Sequence, residues 1–313
     1  MPALNLEELT QSADLVLVGE VTSVKDLYRT VMEVRGHLEE PVTIRQGEMR
    51  VDTILKGSTD SSAISFQFIR PDLGYGYEGV SAHIYRVLFL KKVITGYEFA
   101  SPLYPSVVAV PGFKATAGSS LNQVIEQIEK VLTSDAPSEQ KHEAVFDLRN
   151  TQNKSVVDAL HLALQDKNLD VRLNVAGALL LRNDLSGLPL AEQALLNPPP
   201  QVPAYLVQNL WGAIQSGVRD ERAIPALARL LAARDVDTRR AVAFALRNTA
   251  SRTALIPLVS ALKDSDFQAR YYAVIGLAEI TGDSEWRPSQ EDFKANEARY
   301  LQYWKSWAKT NLI

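Results

Sequence analysis

A chain of 313 residues, 46% apolar and 22% charged, has room for roughly two ordinary globular domains. Its net charge of −4 argues against a dedicated nucleic-acid binder, which needs a basic face, and the nearest approach to a basic run is Arg239-Arg240. It has no cysteine, which excludes disulfides, thiolate metal sites and cysteine nucleophiles.

No apolar run approaches the ~20 residues that span a bilayer. Residues 1–9 have neither a basic nor an apolar leader region and pass straight into a short helical pattern at Leu4, Leu6 and Leu9. Such a start fits a native Met1, hence a cytoplasmic protein, or a chain whose leader was removed, which slightly favours an extracytoplasmic one.

Residues 14–24, 49–55, 63–69, 83–90 and 107–110 are rich in β-branched side chains, and turn residues separate them. Several short strands without a long helical period predict a small antiparallel barrel or sandwich over residues 1–111. The segment 28–46 adds either a hairpin or a long excursion. Ala13-Asp14-Leu15-Val16-Leu17-Val18-Gly19-Glu20-Val21, then Val51 to Leu55-Lys56-Gly57, then Tyr85-Arg86-Val87-Leu88-Phe89-Leu90-Lys91-Lys92 resemble the netrin-like family. That resemblance implies an OB-type barrel, shared with tissue inhibitors of metalloproteinases. Those inhibitors chelate the protease zinc through an N-terminal cysteine, which this sequence lacks.

Gly74-Tyr75-Gly76-Tyr77-Glu78-Gly79 matches G-x-G-x-x-G, yet residues 82–90 read as a strand. A dinucleotide loop opens a helix whose N-terminus faces phosphate, so the reading here is a hairpin loop. Residues 112–118 have the small, polar composition of a domain junction. Ser119 or Ser120 can then cap a helical run through Leu121, Val124, Ile125, Ile128, Val131 and Leu132.

From there to residue 282 a pattern recurs. Asp235, Arg239, Val242, Ala245 and Leu246 are matched thirty-one residues later by Asp266, Arg270, Ala273, Gly276 and Leu277. The register extends backwards, with its first position at Lys141, Arg172, Val207, Arg239 and Arg270, at gaps of 31, 35, 32 and 31 residues. The third and seventh positions on are apolar in every copy, and first, third, fourth and seventh share one helical face. The sixth is small in four copies (Ala178, Ala213, Ala245, Gly276) but Asp147 in the first. Two amphipathic helices per unit, repeated at this period, predict a solenoid.

The Asp/Asn–x₃–Arg spacing followed by Ala and Leu resembles HEAT repeats, including the variety named after phycobilin lyases. The resemblance implies five units over residues 119–282 and a structural hydrogen-bonding role for Arg172, Arg239 and Arg270. Residues 283–313 are not a further copy. Ser289 with Asp292 looks like a helix cap, and Phe293, Leu301, Trp304 and Trp307 suit a terminal helix that closes the core. The fold class expected is therefore multidomain: an N-terminal all-β OB-like barrel, then a C-terminal all-α HEAT-like solenoid.

Catalytic signatures are scarce. The histidines (His37, His83, His142, His161) are scattered, His142-Glu143 has no second histidine at helical spacing, and Glu39-Glu40 reads as a solvated loop. No G-x-S-x-G elbow, P-loop or acidic calcium loop occurs. No enzyme activity and no cofactor are expected.

Register positions one, five and eight flank the packed stripe. They hold His142, Phe146 and Arg149; Gln208 and Gln215; Arg240, Phe244 and Arg247; Tyr271 and Ile275. Second helices of HEAT-like units line the concave side, as that resemblance implies, and mixed arginine and aromatic residues have the composition of interface hot spots. The alternative is that the aromatic and aliphatic members pack between units. The reading is a non-catalytic binding or scaffold protein for a protein or peptide. A protease inhibitor acting through the barrel, and a small-ligand or bilin-handling enzyme, are the alternatives.

Overall fold

The computed structural model describes residues 5–34, 38–72, 79–116, 118–151 and 153–312. Residues 74–78 of the G-x-G-x-x-G match, Leu4 and His37 lie outside them. The chain forms two compact units, Met1–Ala159 and Leu160–Ile313.

In the first unit, helix α1 (Leu6–Ser12) opens on a capping box between Asn5 and Glu8. Six strands follow: β1 (Leu15–Val34), β2 (Leu38–Lys56), β3 (Ala63–Pro71), β4 (Ile84–Val93), β5 (Gly96–Phe99) and β6 (Ser106–Val108). β1 pairs with both β2 and β4, β2 with β3, β3 with β5 in parallel, and β5 with β4, so the sheet closes as β1-β2-β3-β5-β4-β1. β6 adds to β4.

The closed sheet follows from period-two burial. Ile64, Phe66 and Phe68 alternate inward along β3 and meet Leu15, Leu17, Met49, Leu88, Leu90 and Phe99 in one core. Phe66, Phe68 and Phe99 hold their ring centroids 5.0–6.0 Å apart. Residues 28–34 pair antiparallel with 38–44 as the far part of one long β1–β2 ribbon. Glu39 and Glu40, expected in a solvated loop, stand in β2 instead, and Glu40 is 5% exposed. Period-two alternation in a strand turns one glutamate of an adjacent pair to the opposite face from its neighbour, which a reading of the pair as a loop overlooks.

Lys56 and Gly57 fasten α1 to this sheet. The Lys56 ammonium donates to the carbonyls of Thr10, Gln11 and Ala13 at 2.8, 2.9 and 2.6 Å, taking up orphan carbonyls at the helix end. Gly57 turns the chain at φ +79°, where a Cβ would stand 2.5 Å from the Asp14 carbonyl oxygen.

The helices follow in chain order as α2 (Ser120–Thr133), α3 (Ser138–Leu148), α4 (Lys154–Ala163), α5 (Leu169–Leu181), α6 (Leu188–Leu196), α7 (Ala204–Gly217), α8 (Ile224–Leu230), α9 (Val236–Asn248), α10 (Leu255–Ala261) and α11 (Phe267–Thr281), and α2 packs with α3, α6 with α7, α8 with α9 and α10 with α11. The junction before α2 is held to it, since Gln127 donates to the Phe113 carbonyl and the Thr116 N–H to Glu126. Ser119 is the cap of α2.

The register stripe is buried throughout: Ala144 and Leu148, Val175 and Leu179, Leu210 and Ile214, Val242 and Leu246, and Ala273 and Leu277 are each 0% exposed. Small residues at the sixth position permit close approach, because a Cβ on Gly276 would meet Arg247 Cβ at 3.0 Å.

Each register arginine anchors the turn that precedes its own helix. Nη1 of Arg172 donates to the Asp166 and Lys167 carbonyls, that of Arg239 to Ala233 and Arg234, and that of Arg270 to Asp264 and Ser265. Arg239 also reaches forward to Asp264 of the following pair at 2.8 Å, nearly buried on both sides. Asp235 and Asp266, four residues ahead of their arginines, instead cap α9 and α11.

Helix α12 (Gln290–Asn311), capped by Ser289 and kinked at Asn296, closes the stack. Phe293 and Trp304 on it are 0% exposed within the solenoid core. Trp286 stacks on Tyr303 with centroids 3.7 Å apart.

Truncating Leu246 or Leu277 to alanine is expected to cost about 2–5 kcal/mol, read from the denaturant midpoint at unchanged slope. Lys56→Met is expected to destabilise as well, since it leaves three carbonyls at the end of α1 without their shared donor. Midpoint shifts near zero for both leucines would contradict the register.

Candidate functional site

In the second unit most of the expected contact row is engaged in holding repeats together. Arg240 pairs with Asp266 at 2.7 Å and with Asp237 at 3.0 Å. That guanidinium, with the Ala269 and Gln268 backbone N–H groups, holds the Asp266 carboxyl down at about 2 despite its partial burial. Arg247 bonds Glu279 and lies 5.5 Å from the centroid of the Phe244 ring. Phe244 meets Tyr272 edge-on at 5.0 Å, and Tyr271 packs on Phe293 at 5.5 Å.

Ile275, expected at the surface, is 3% exposed. Helix α11 packs against α9, α10 and α12, so its positions from Ala273 to Ala278 are all buried and no flank is left free there. On α7, Gln208 is exposed and Gln215 half-buried.

The three members on α3 and at its C-cap, within the first unit, differ. Phe146 is 49% exposed, the Arg149 guanidinium stands 4.5 Å from its centroid, and Tyr104 stacks on it at 6.1 Å. His142 and Phe146 line a cleft of about 500 Å³ whose other walls include Ile84, Arg86, Tyr104 and Asp147. Residues of β4, of the segment before β6 and of α3 therefore converge.

Arg86 crosses to Glu143 as a bidentate pair, and the Tyr104 hydroxyl donates to Asp147 Oδ1. Asp147 Oδ2 is buried and has no hydrogen-bond partner among the described residues. Burial is the main cause that pushes the Asp147 carboxyl up to about 7, with Glu143 adding to it and Tyr104, Arg86 and the Val108 N–H opposing. The cleft thus combines an exposed aromatic ring, an arginine over it and a carboxyl that changes charge near neutrality.

Sequence reasoning singled out His142, Phe146 and Arg149 as members of a row along the second helices; it did not single out Arg86, Tyr104 or Asp147, which line the cleft with His142 and Phe146. The signal for Asp147 was present, since it is the one copy whose sixth position is not small. A second cleft of about 420 Å³ lies between α8 and α10, with Ala228, Leu231 and Ile256 on its walls, and Ile256 is 64% exposed. It belongs to first helices, which the register did not cover. Among the described residues no group of three His, Cys, Asp or Glu side chains could hold a metal ion, and no helix is long and apolar enough to cross a membrane.

A family model for HEAT repeats matches residues 125–211 and 188–278. Among solved structures, the chain is similar to one from the complex of CpcE and CpcF of phycocyanin lyase from Nostoc sp. PCC7120, at 21% identity over 58% of this chain and 72% of that one, with a TM-score of 0.41. It is also similar to human deoxyhypusine hydroxylase in complex with glycerol, at 14% identity over 60% of this chain and 95% of that one, with a TM-score of 0.25. No curated protein matches it.

The Asp147 carboxyl sets a pH dependence of stability. Its folded value of about 7 stands above the ordinary 3.8, so the folded state holds a proton that the unfolded state has released. Stability from this group is greatest below the unfolded value and declines as pH rises from about 4 through about 7. Asp147→Asn is expected to remove that decline and to gain on the parent chain by up to roughly 4 kcal/mol at pH 8. Denaturant titrations of both chains between pH 5 and 8 check this; a constant difference between them would contradict it.

Proposed function

We propose that this chain is a non-catalytic binding protein that engages a protein or peptide. The HEAT repeats support a scaffold of that kind, and one local observation carries the reading to a place. Phe146 and Arg149 are the aromatic and arginine of the predicted row that stay exposed beside a cleft, whereas Arg240, Phe244 and Arg247 are engaged between repeats. An exposed aromatic held in place by a stacked guanidinium loses little freedom on binding and offers a large contact area.

The sheet supports the netrin-like reading of the first hundred residues. Closure in the order β1-β2-β3-β5-β4-β1 fits an OB-type Greek-key barrel. The segments that carry the resemblance have structural work in it: Val16 to Val18 are buried, and Lys56-Gly57 fastens α1. In this reading the barrel presents Arg86 and Tyr104 to the cleft, while α3 presents His142 and Phe146.

Phe146→Ala with Arg149→Ala is expected to weaken capture of a cognate partner at least about thirtyfold, as loss of a hot-spot pair does. Both side chains are exposed, so melting should shift little. Arg240→Ala with Phe244→Ala should act the other way, lowering the melting temperature by breaking contacts between repeats. Partners identified by cross-linking to the full chain, then titrated against both double variants, make the check; undiminished binding by the Phe146/Arg149 variant would remove the cleft from the proposal.

A further inference from the structure

Strand β1 has two neighbours over its first seven residues and one afterwards. Leu15 to Val21 pair with β4 on one edge and Val16 to Val21 with β2 on the other. From Thr22 to Val34, among the described residues, β2 alone pairs with it. The outer edge of β2 is covered by β3 as far as Val42 opposite Pro71, and Pro41 comes next. Proline has no N–H to offer a further strand, so that edge is closed to additional pairing.

The β1 edge has no such guard. Irregularities in register fall between Val21 and Ser23 and between Asp26 and Tyr28, but Tyr28 to Val34 then runs in unbroken register with Ile44 to Leu38. The stretch contains neither proline nor lysine. Tyr28 is 57% exposed, Val31 59% and Met32 40%, and because Val31 and Met32 are adjacent, apolar side chains are exposed on both faces of the ribbon. A two-stranded ribbon of this kind is marginal in water without a neighbour.

We propose that the Tyr28–Val34 edge of β1 docks a second copy of this chain, the two β1 strands running antiparallel about a two-fold axis at Val31. The segment is self-complementary about that residue and about no close alternative. With the axis at Val31, Val31 faces itself, Thr30 faces Met32, and Arg29 faces Glu33 twice. Moving the axis to Thr30 sets Arg29 against Val31 and Glu33 against Leu27, and moving it to Arg29 sets arginine against arginine.

The charges inside one copy point the same way. Glu33 stands directly opposite Glu39 on β2, a like-charge pair that destabilises the ribbon. Arg29 of a second copy would lie on the other side of Glu33 and offset that repulsion. Arg29 already pairs with Asp72, yet its side chain is 66% exposed and its five-donor guanidinium can take a second carboxylate. A foreign strand would need this spacing of acid, base and apolar residues independently, whereas a second copy has it by symmetry. Seven paired residues form a contact well short of the ~1,200–2,000 Å² of a stable complex, so the dimer exchanges with monomer and its share rises with concentration.

The test is sedimentation velocity on the full chain from about 1 to about 300 µM, with melting curves at the lowest concentration to confirm that each variant folds. The wild-type chain is expected to pass from monomer to dimer across that range, and Val31→Lys, which sets two ammonium groups face to face, to remain monomeric. Arg29→Glu and Glu33→Arg are each expected to weaken association at least about tenfold, and the two together to restore it. A wild-type chain that is monomeric throughout, or a dimer indifferent to Val31→Lys, overturns the proposal. Failure of the double variant to recover overturns the Val31 register. A monomeric chain whose edge instead captures a partner's extended peptide, with that capture lost in Val31→Lys, assigns the edge to another occupant and equally overturns the second copy.

Discussion

A helix pair of this length cannot bury its own apolar stripe, and that shortfall is the constraint on which the helical part depends. Leu179, Ile214, Leu246 and Leu277 reach zero exposure because second helices lie side by side, α5 on α7, α7 on α9 and α9 on α11. Close stacking requires small residues where the helices touch, hence Ala178, Ala213, Ala245 and Gly276. It also brings turns of the chain together, and their carbonyls need donors once water is excluded. The register arginines supply them: a planar guanidinium can bond two carbonyls of its own turn and, in Arg239, a carboxylate of the next repeat as well. In Arg239 the carbonyls take Nη1 while the carboxylate takes Nε and Nη2, a spread of donors that the single nitrogen of lysine does not have.

Much of this was legible in the sequence. Period-3.6 patterning, the recurrent arginine and the small sixth residue placed the second helices, and those positions are buried. The first helices of the last two pairs were legible too, as apolar helical runs over residues 223–233 and 254–262 with Pro225 or Pro257 near the start; α8 and α10 take seven residues of each and enter through a turn of 3-10 helix. The strands were legible from β-branched runs, though not the length of the β1–β2 ribbon, because its charged outer half has the composition of a loop. Glu40 shows the limit of composition: in a strand, an adjacent pair of glutamates is split between two faces, and only pairing decides which faces inward.

Site residues were legible in part, for a physical reason. Helical register gives the direction of a side chain but not what stands opposite it. Arg240, Phe244 and Tyr271 have the direction expected of a contact row, yet each finds a partner on a neighbouring repeat or on α12. Ile275 loses exposure because α11 has neighbours on several sides, a property of tertiary packing that register cannot express. Phe146 and Arg149 keep theirs, and the residues facing them, Arg86 and Tyr104, come from a segment with different periodicity and no common register with α3.

Asp147 joins these two lines of argument. At its register position the other copies carry alanine or glycine, because the helices there are in close contact. On α3 the same position meets the Tyr104 hydroxyl and the Arg86–Glu143 pair instead, so a polar side chain replaces a small one. Burial makes that carboxyl costly to ionise, and a hydrophobic residue of similar volume would avoid the cost. A departure from the repeat rule therefore marks the point where the repeat stops serving its own stack and begins to serve the cleft. The exposed aromatic lies one residue away, on the same turn of helix, and the polar substitution and the exposure of Phe146 are two consequences of a single change of neighbour.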